Sequence, residues 1–253
     1  MSTHLIIPDA HAHPDYHNKR FTWLGKLVAD IKPDHVVMIG DWADMPSLCS
    51  YDKGTKGFEG RRYKKDIAAA IDAQEKFFKP IKARKKKLPK FWMLEGNHEH
   101  RISRAVTYDA AQLDGVIGLA DLKYKDFGWE FIQYNGSTPG ILDLDGVAYA
   151  HYFTSGIMGR PIGGIHPAYQ LLTKQYMSCT QGHTHTTDYC VRTNAQGKDI
   201  HGMVCGVYQD YFADFAGEAN LMWWRGVVVK RDVHNGVYDP EWINLDRIKR
   251  EYK

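Results

Sequence analysis

Three short apolar runs, spaced by two segments of helical periodicity, constrain the fold most. His4–Asp9 (HLIIPD), His35–Gly40 (HVVMIG) and Phe91–Glu95 (FWMLE) read as buried strands. Between the first two, apolar residues at 21, 24, 27, 28 and 31 have the spacing of a helix face. Between the second and third, Tyr63 to Lys87 carries Ile67, Ala70, Ile71, Phe77 and Phe78 among Lys and Glu, and Pro80 is expected to kink or break that helix. Strand, helix, strand, helix, strand is the rhythm of a sheet with crossover helices.

The second half changes character. Gly140 to His151 alternates on both sides of Asp145-Gly146, a hairpin signal because both turn residues tolerate positive φ. Ile165 to Met177 is expected to be helical with Pro167 in its first turn. Ser178 to Gln181 reads as a strand, Asp188–Thr193 and Ile200–Tyr208 flank a turn at 194–197, and Val227–Val233 leads into the turn Asn235-Gly236. Pro240 to Lys253 is expected to end the chain as a short basic helix. The expectation is an α/β fold: two mixed β-sheets packed face to face and flanked by helices.

Composition bounds the class. The chain has 253 residues, 43% apolar and 25% charged, which excludes a disordered protein and favours one decorated domain over two. No apolar run approaches the ~20 residues of a membrane span. The start lacks a basic region followed by an apolar one, so a cytoplasmic protein is expected. The four cysteines show no C-x-x-C spacing and read as buried thiols. Net charge is only +3, yet Arg61–Lys65 and Lys82–Lys87 form two dense basic runs.

The chemistry sits where the strands end. The first run ends Asp9-Ala10-His11, the second Gly40-Asp41, the third Gly96-Asn97-His98-Glu99; the hairpin ends at His151, and the strand after the long helix ends Gly182-His183-Thr184-His185. Sheet connections bring such ends together. Asp-x-His is a useful local unit because alternate residues at a strand end share a side. Carboxylates, imidazoles and an amide without thiolate suit hard or borderline cations. Eight groups are too many for one ion and about right for two, and an ion pair about 4 Å apart clamps a phosphate and activates water.

In this order the five blocks resemble the calcineurin-like metallophosphoesterase superfamily, over roughly residues 4 to 207. The resemblance implies a four-layer fold and a binuclear centre. Asp9, His11 and His185 would hold the first ion, Asp41 would bridge both, and Asn97, His151 and His183 would hold the second. His98 would act as general acid while a metal-bridging hydroxide attacks phosphorus in line. Mn²⁺ is the favoured metal, with Fe²⁺, Zn²⁺ and Ni²⁺ as alternatives. Asp44 is the candidate partner that orients His98, since Asp41-x-x-Asp44 matches the G-D-x-x-D spacing of the phosphoprotein-phosphatase branch; Glu99 competes for that role, and a helix N-cap is the plainer reading of Asp44. The family usually has Gly after the fourth block's histidine, where this chain has Tyr152; His166 is the only nearby substitute ligand.

Further candidates are less specific. His13, two residues past His11, could touch phosphate or a carboxylate behind the metals, or be a surface histidine. Arg101 and Arg104 could grip phosphate or form a solvated helix face. Tyr208, Tyr211, Phe212, Phe215, Trp223 and Trp224 could stack bases or belong to a core. The phosphoprotein-phosphatase pattern has arginines where this chain has Met45 and Glu95. Asp41 and Asn97 lie 56 residues apart, which implies an insertion at about 45–90 holding both basic runs beside the site. The segment at about 100–140 is expected to overhang it as a cap.

The chain also resembles, more loosely, compact phosphoesterases often encoded by bacteriophages and bacteria (which would act in the host cytoplasm), and distantly the metal-dependent DNA-repair nucleases. The expected function is a two-metal phosphodiesterase or nuclease acting on nucleic acid or nucleotides, without a membrane partner. The alternative is a phosphomonoesterase of broad or protein specificity; a non-catalytic scaffold is disfavoured because all eight groups stand.

Overall fold

Strands β1 (Ser2–Ile7), β2 (His35–Met38) and β3 (Lys90–Leu94) lie side by side in parallel, with His4 opposite His35 and His35 opposite Lys90. The structure, a computed structural model, describes residues 1–84 and 87–253; Lys85 and Lys86 of the second basic run lie outside the described residues. β4 (Trp129–Ile132) adds a parallel strand beside β3, while β12 (Gly226–His234) and β13 (Val237–Asn244) extend the other edge antiparallel.

The second sheet holds β5 (Leu142–Leu144), β6 (Val147–Tyr149), β9 (Cys179–Gln181), β10 (Thr187–Thr193) and β11 (Asp199–Cys205), in the order β10-β11-β9-β6-β5. β7 (Thr154–Ser155) and β8 (Arg160–Pro161) form a small separate ribbon. Both large sheets are mixed: β9 runs parallel to β6 and β11, and the outer pairs are antiparallel. The β5–β6 turn has Asp145 at φ 52° and Gly146 at φ 82°, the expected type of hairpin.

Helices α1 (Lys19–Ile31), α2 (Tyr63–Ala83) and α7 (Leu245–Tyr252) cover the six-stranded sheet through Phe21, Leu24, Ala73, Phe77 and Ile248. Ile6, Val37, Leu94 and Val228 meet Val147, Tyr149, Met203 and Cys205 between the sheets. Helix α6 (Pro167–Gln175) closes the far side with Leu171 against Cys179 and Val204. Among the described residues, no helix is long and apolar enough to cross a membrane.

Four expectations change. Helix α2 runs through Pro80 to Ala83. Pro80 falls in the last turn, where only one backbone bond is lost, and it packs with Phe77 on Gly25 of α1. Pro240 lies inside β13, so the last helix starts at Leu245; β13 is an edge strand, where a missing N–H costs little. The region after residue 45 is not an appended insertion. Helix α2 is the crossover itself, and the extra length is a loop of three short turns, Pro46–Leu48, Ser50–Asp52 and Lys56–Phe58.

Nor is 100–140 a cap throughout. Helix α3 (His100–Tyr108), the single turn α4 (Ala110–Leu113) and α5 (Tyr124–Phe127) lead into β4, and Leu122, Tyr124 and Trp129 are core residues.

Helix α2 also separates the basic runs. Its start adjoins the loop after β2, where Arg61 donates to the Pro46 carbonyl (3.1 Å) and Ser47 N donates to Asp66 (3.0 Å). Its end, 21 residues or about 30 Å away, lies beside the end of α1, where Arg84 pairs with Asp30. Among the described residues, Arg61 of the first run stands near the strand ends that carry the candidate ligands and Arg84 of the second does not.

Lys230 on β12 is fully buried between the sheets, bonded to Thr180 and set over the rings of Tyr149 (4.6 Å) and Tyr238 (4.1 Å). Burial pulls its pKa down to about 7. The unfolded chain holds that proton up to about pH 10.5, so the penalty is complete below pH 7 and fades as pH rises towards 10. Lys230→Met is therefore expected to stabilise the protein by roughly 2–4 kcal/mol at pH 7. The gain should shrink towards pH 10 in paired denaturant titrations, and a gain that does not vary with pH would refute the assignment.

Candidate metal centre

The loops after the strands are stitched to one another before any side chain is considered. Ala10 N and His11 N donate to the Asp41 carbonyl (2.9 and 2.8 Å), Ala12 N to Trp42 O, Tyr208 N to Asp9 O, and Gly182 N to His151 O. Four candidate ligands, His11, Asp41, His183 and His185, sit at φ between 45° and 67°. Non-glycine residues avoid this region at about 1–3 kcal/mol each, and such strain gathers at functional sites. Asp9 and His11 thus converge through a sharp turn beyond the end of β1, not through strand alternation.

The glycines before the ligands have a steric reason. A Cβ on Gly96 would overlap the Asp41 carboxylate, and one on Gly182 would overlap that of Asp9. Gly182→Ala is expected to displace Asp9 and lower Mn²⁺ affinity by at least about tenfold, read by calorimetric titration. Unchanged affinity would show that Asp9 is not held by this approach.

Three overlapping groups form here: Asp9, His11 and His185; Asp9, Asp41 and His151; and His11, Asp41 and His98. His11 Nε2 lies 3.1 Å from His185 Nε2. On the other side, Asn97 Oδ1 is 2.8 Å from both His151 Nε2 and His183 Nδ1, and Asp41 Oδ2 is 3.4 Å from His151 Nε2. The seven sequence-predicted ligands therefore meet in one place. His166 is exposed at the start of α6 and does not join them.

The imidazoles are set up to offer lone pairs. His151 Nδ1 faces the Ile39 carbonyl (3.1 Å), which can only accept, so the proton is assigned there and Nε2 is left bare. His11 Nδ1 likewise faces Asp44 (3.0 Å), turning its Nε2 inward. Burial, reinforced by the neighbouring imidazoles, holds His151 and His185 well below the usual histidine range and His183 at about 4. All three are neutral at pH 7. Burial also pushes the carboxyls up, Asp41 to about 6, and Asp9 rises further with Asp41 beside it. Buried carboxylates facing bare imidazole nitrogens are the donor set that divalent cations satisfy.

Asp44 joins two of the histidines. Its Oδ1 lies 3.0 Å from both His11 Nδ1 and His98 Nδ1, and its main-chain carbonyl lies 2.7 Å from His98 Nδ1. Burial opposes its ionisation, but the bonds from His11 and His98 outweigh it and hold the carboxyl well below its usual range. It caps no helix through its side chain: Met45 precedes the next turn. Glu99 does other work. Fully buried, it accepts from Asp41 N (3.0 Å), Gly96 N (3.0 Å), Ala43 N (2.8 Å) and Tyr124 OH (2.9 Å), locking the loops after β2 and β3 together.

Arg101 donates to the Asp44 carbonyl (2.9 Å) and reaches His98 Nε2 (3.2 Å), so it stands at the site. Arg104 is exposed with no ion-pair partner among the described residues. His13 Nε2 lies 3.5 Å from Asp44 Oδ2, behind the ligands.

The aromatic stretch divides. Tyr208 is core, Trp224 packs on Trp242, Trp223 meets His185 edge-on (4.3 Å) and Phe212 is exposed. The Phe215 side chain lies outside the described residues. Tyr211 OH donates to the His11 carbonyl (2.9 Å).

Arg20 carried no sequence signal beyond an arginine on an otherwise apolar helix face. Fully buried, its five N–H groups reach the carbonyls of Ala10, His11, His17 and Tyr208 and the Asp210 carboxylate.

A fourth group, His4, His35 and Asp145, lies at the opposite ends of β1 and β2. Trp92 Nε1 donates to His35 Nδ1 (3.0 Å), which leaves the His35 proton on Nε2 and no lone pair there for a metal. Compared with known proteins, the chain matches no family model and no curated relative.

Proposed function

We propose that the chain is a two-metal phosphoester hydrolase of the calcineurin-like, four-layer type, acting on phosphodiesters of nucleotides or nucleic acid. One observation carries the reading: two buried carboxylates, four inward imidazole nitrogens and one amide oxygen converge from five strand ends. Asp9, His11, His185 and Asp41 fit one divalent ion; Asn97, His151, His183 and Asp41 fit a second, and Mn²⁺ suits the set. Such ions supply Lewis acidity and a hydroxide nucleophile at neutral pH.

The chain's own residues supply the rest. Asp44 holds the proton of His98 on Nδ1, so that Nε2 faces the reacting side. Once the Arg101 N–H that reaches Nε2 turns to a phosphoryl oxygen, a second proton taken up there makes an imidazolium stabilised by Asp44, able to protonate a departing oxygen. Arg101, beside the same nitrogen, is placed to hold a phosphoryl oxygen.

The diester reading is favoured because the two positions where the phosphoprotein-phosphatase pattern has arginines are structural here. Met45 is fully buried, and Glu95 accepts from Tyr134 N (2.7 Å) and pairs with His100 (2.9 Å). The Arg101 guanidinium keeps a phosphomonoesterase as the second reading.

The test is metal content and hydrolysis on protein stripped and reloaded with Mn²⁺, using a simple aryl phosphodiester and the matching monoester. About two equivalents of bound metal and a diester preference are expected. A monoester preference would make the second reading the working one, and no hydrolysis of either would sink both. His98→Ala should slow turnover by about 10²–10⁴-fold while sparing metal content; loss of both ions would show that His98 is a ligand.

A further inference from the structure

Tyr16 and Tyr211 stack with centroids 3.8 Å apart and planes 10° from parallel. Tyr211 is fixed from behind: its hydroxyl holds the His11 carbonyl, and the Arg20 guanidinium lies 5.5 Å from its ring centre. Tyr16 is presented by the turn His13-Pro14-Asp15-Tyr16, closed by Tyr16 N to the His13 carbonyl (3.3 Å). The His13 ring lies 5.2 Å from Tyr16 and 6.1 Å from Tyr211. With the 3.8 Å stack these separations make nearly a right angle at Tyr16. His13 is thus at the edge of the Tyr16 ring, and the face away from Tyr211 carries no other ring among the described residues. Tyr16 is 37% exposed.

Through His13 at its edge, the Tyr16 ring lies close to the carboxylate that orients His98. His13 Nε2 is 3.5 Å from Asp44, and Asp44 is 3.0 Å from His98. The Arg20 guanidinium lies on Tyr211, and the charges that act on Tyr16 itself include the carboxylates of Asp214, Asp15 and Asp44. They repel a phosphate chain but accept hydrogen bonds from base amino groups and ribose hydroxyls. A flat, uncharged, donor-bearing group suits such a place.

We infer that the free face of Tyr16 is a stacking subsite for one nucleobase, that of the nucleoside on the leaving oxygen which His98 protonates. This rests on the phosphoester-hydrolase reading and narrows it to substrates with a nucleoside on that side. No sequence signal marks Tyr16, and Tyr211 from the aromatic stretch is its backing plate.

The test is fluorescence of 2-aminopurine riboside, which is quenched on stacking, titrated with Mn²⁺-reloaded protein. Wild type should quench saturably. Tyr16→Ala should weaken binding on the order of tenfold, and Tyr16→Phe should keep it, since stacking needs the ring and not the hydroxyl. Melting curves check that both variants are folded. Equal affinity in wild type and Tyr16→Ala, or no saturable quenching, overturns the subsite. Hydrolysis of an alkyl aryl phosphodiester is followed in the same wild-type samples. Hydrolysis without Tyr16-dependent quenching removes the subsite alone, whereas no hydrolysis removes the reading beneath it and with it the leaving-group assignment.

Discussion

Asp41→Asn is expected to lower hydrolysis by about 10³-fold or more and to leave less than two equivalents of bound metal, in a protein that folds normally. Asp41 stands between the two halves of the centre: Oδ2 is 3.4 Å from His151 Nε2, and Oδ1 accepts from His98 N (2.8 Å). An asparagine oxygen can keep the His98 bond, so the loop geometry survives. What is lost is the charge that, on the proposed reading, would hold two cations together.

The stability signature separates this from misfolding. Without metal the buried Asp41 carboxyl is pushed up to about 6, so its charged form is a cost to the fold at neutral pH. Asn removes that cost, and the metal-free variant should melt at or above the metal-free wild type. Mn²⁺ at 100 times its Kd should stabilise wild type by about 2.7 kcal/mol for each ion bound and the variant by much less. An active variant with two bound ions would show that Asp41 does not bridge.

Much of the site was legible because its residues follow apolar runs whose strand character is plain. Once HLII, HVVM and FWML pair in parallel, their ends must share one edge, and Asp9, Asp41 and Asn97 follow. The positive-φ turns were not legible, since His11 and Asp41 carry no sign of the conformation that aims them. Pro240 misled because a proline stops a helix or a central strand, and only the sheet order reveals that β13 is an edge. The second basic run misled because helix direction, not sequence proximity, decides which pole a charge occupies: α2 carries it away from the centre.

Arg20 was the least legible residue, and its removal should have the largest structural effect. Arg20→Met is expected to cost about 3–5 kcal/mol, or roughly 10 °C in Tm for a chain of this size. The side chain fits the space, so the cost is polar. Four carbonyls lose a donor each, and Asp210, with its side chain 13% exposed, loses its arginine partner and keeps only His17 at 3.8 Å. Two of those carbonyls belong to Ala10 and His11, in the turn that aims the Asp9 and His11 side chains, and Tyr208 N is bonded to Asp9 O on the same turn. Loss of stability should therefore come with weaker metal binding, which a peripheral core residue would not show. Arg20→Lys should rescue little, because one ammonium has three donors and cannot span acceptors set for a planar fork of five. A variant whose Tm falls by less than about 3 °C with unchanged Mn²⁺ affinity would mean that water or neighbouring donors satisfy these carbonyls, and that the turn at His11 is held by the ligands and the stitching between loops alone.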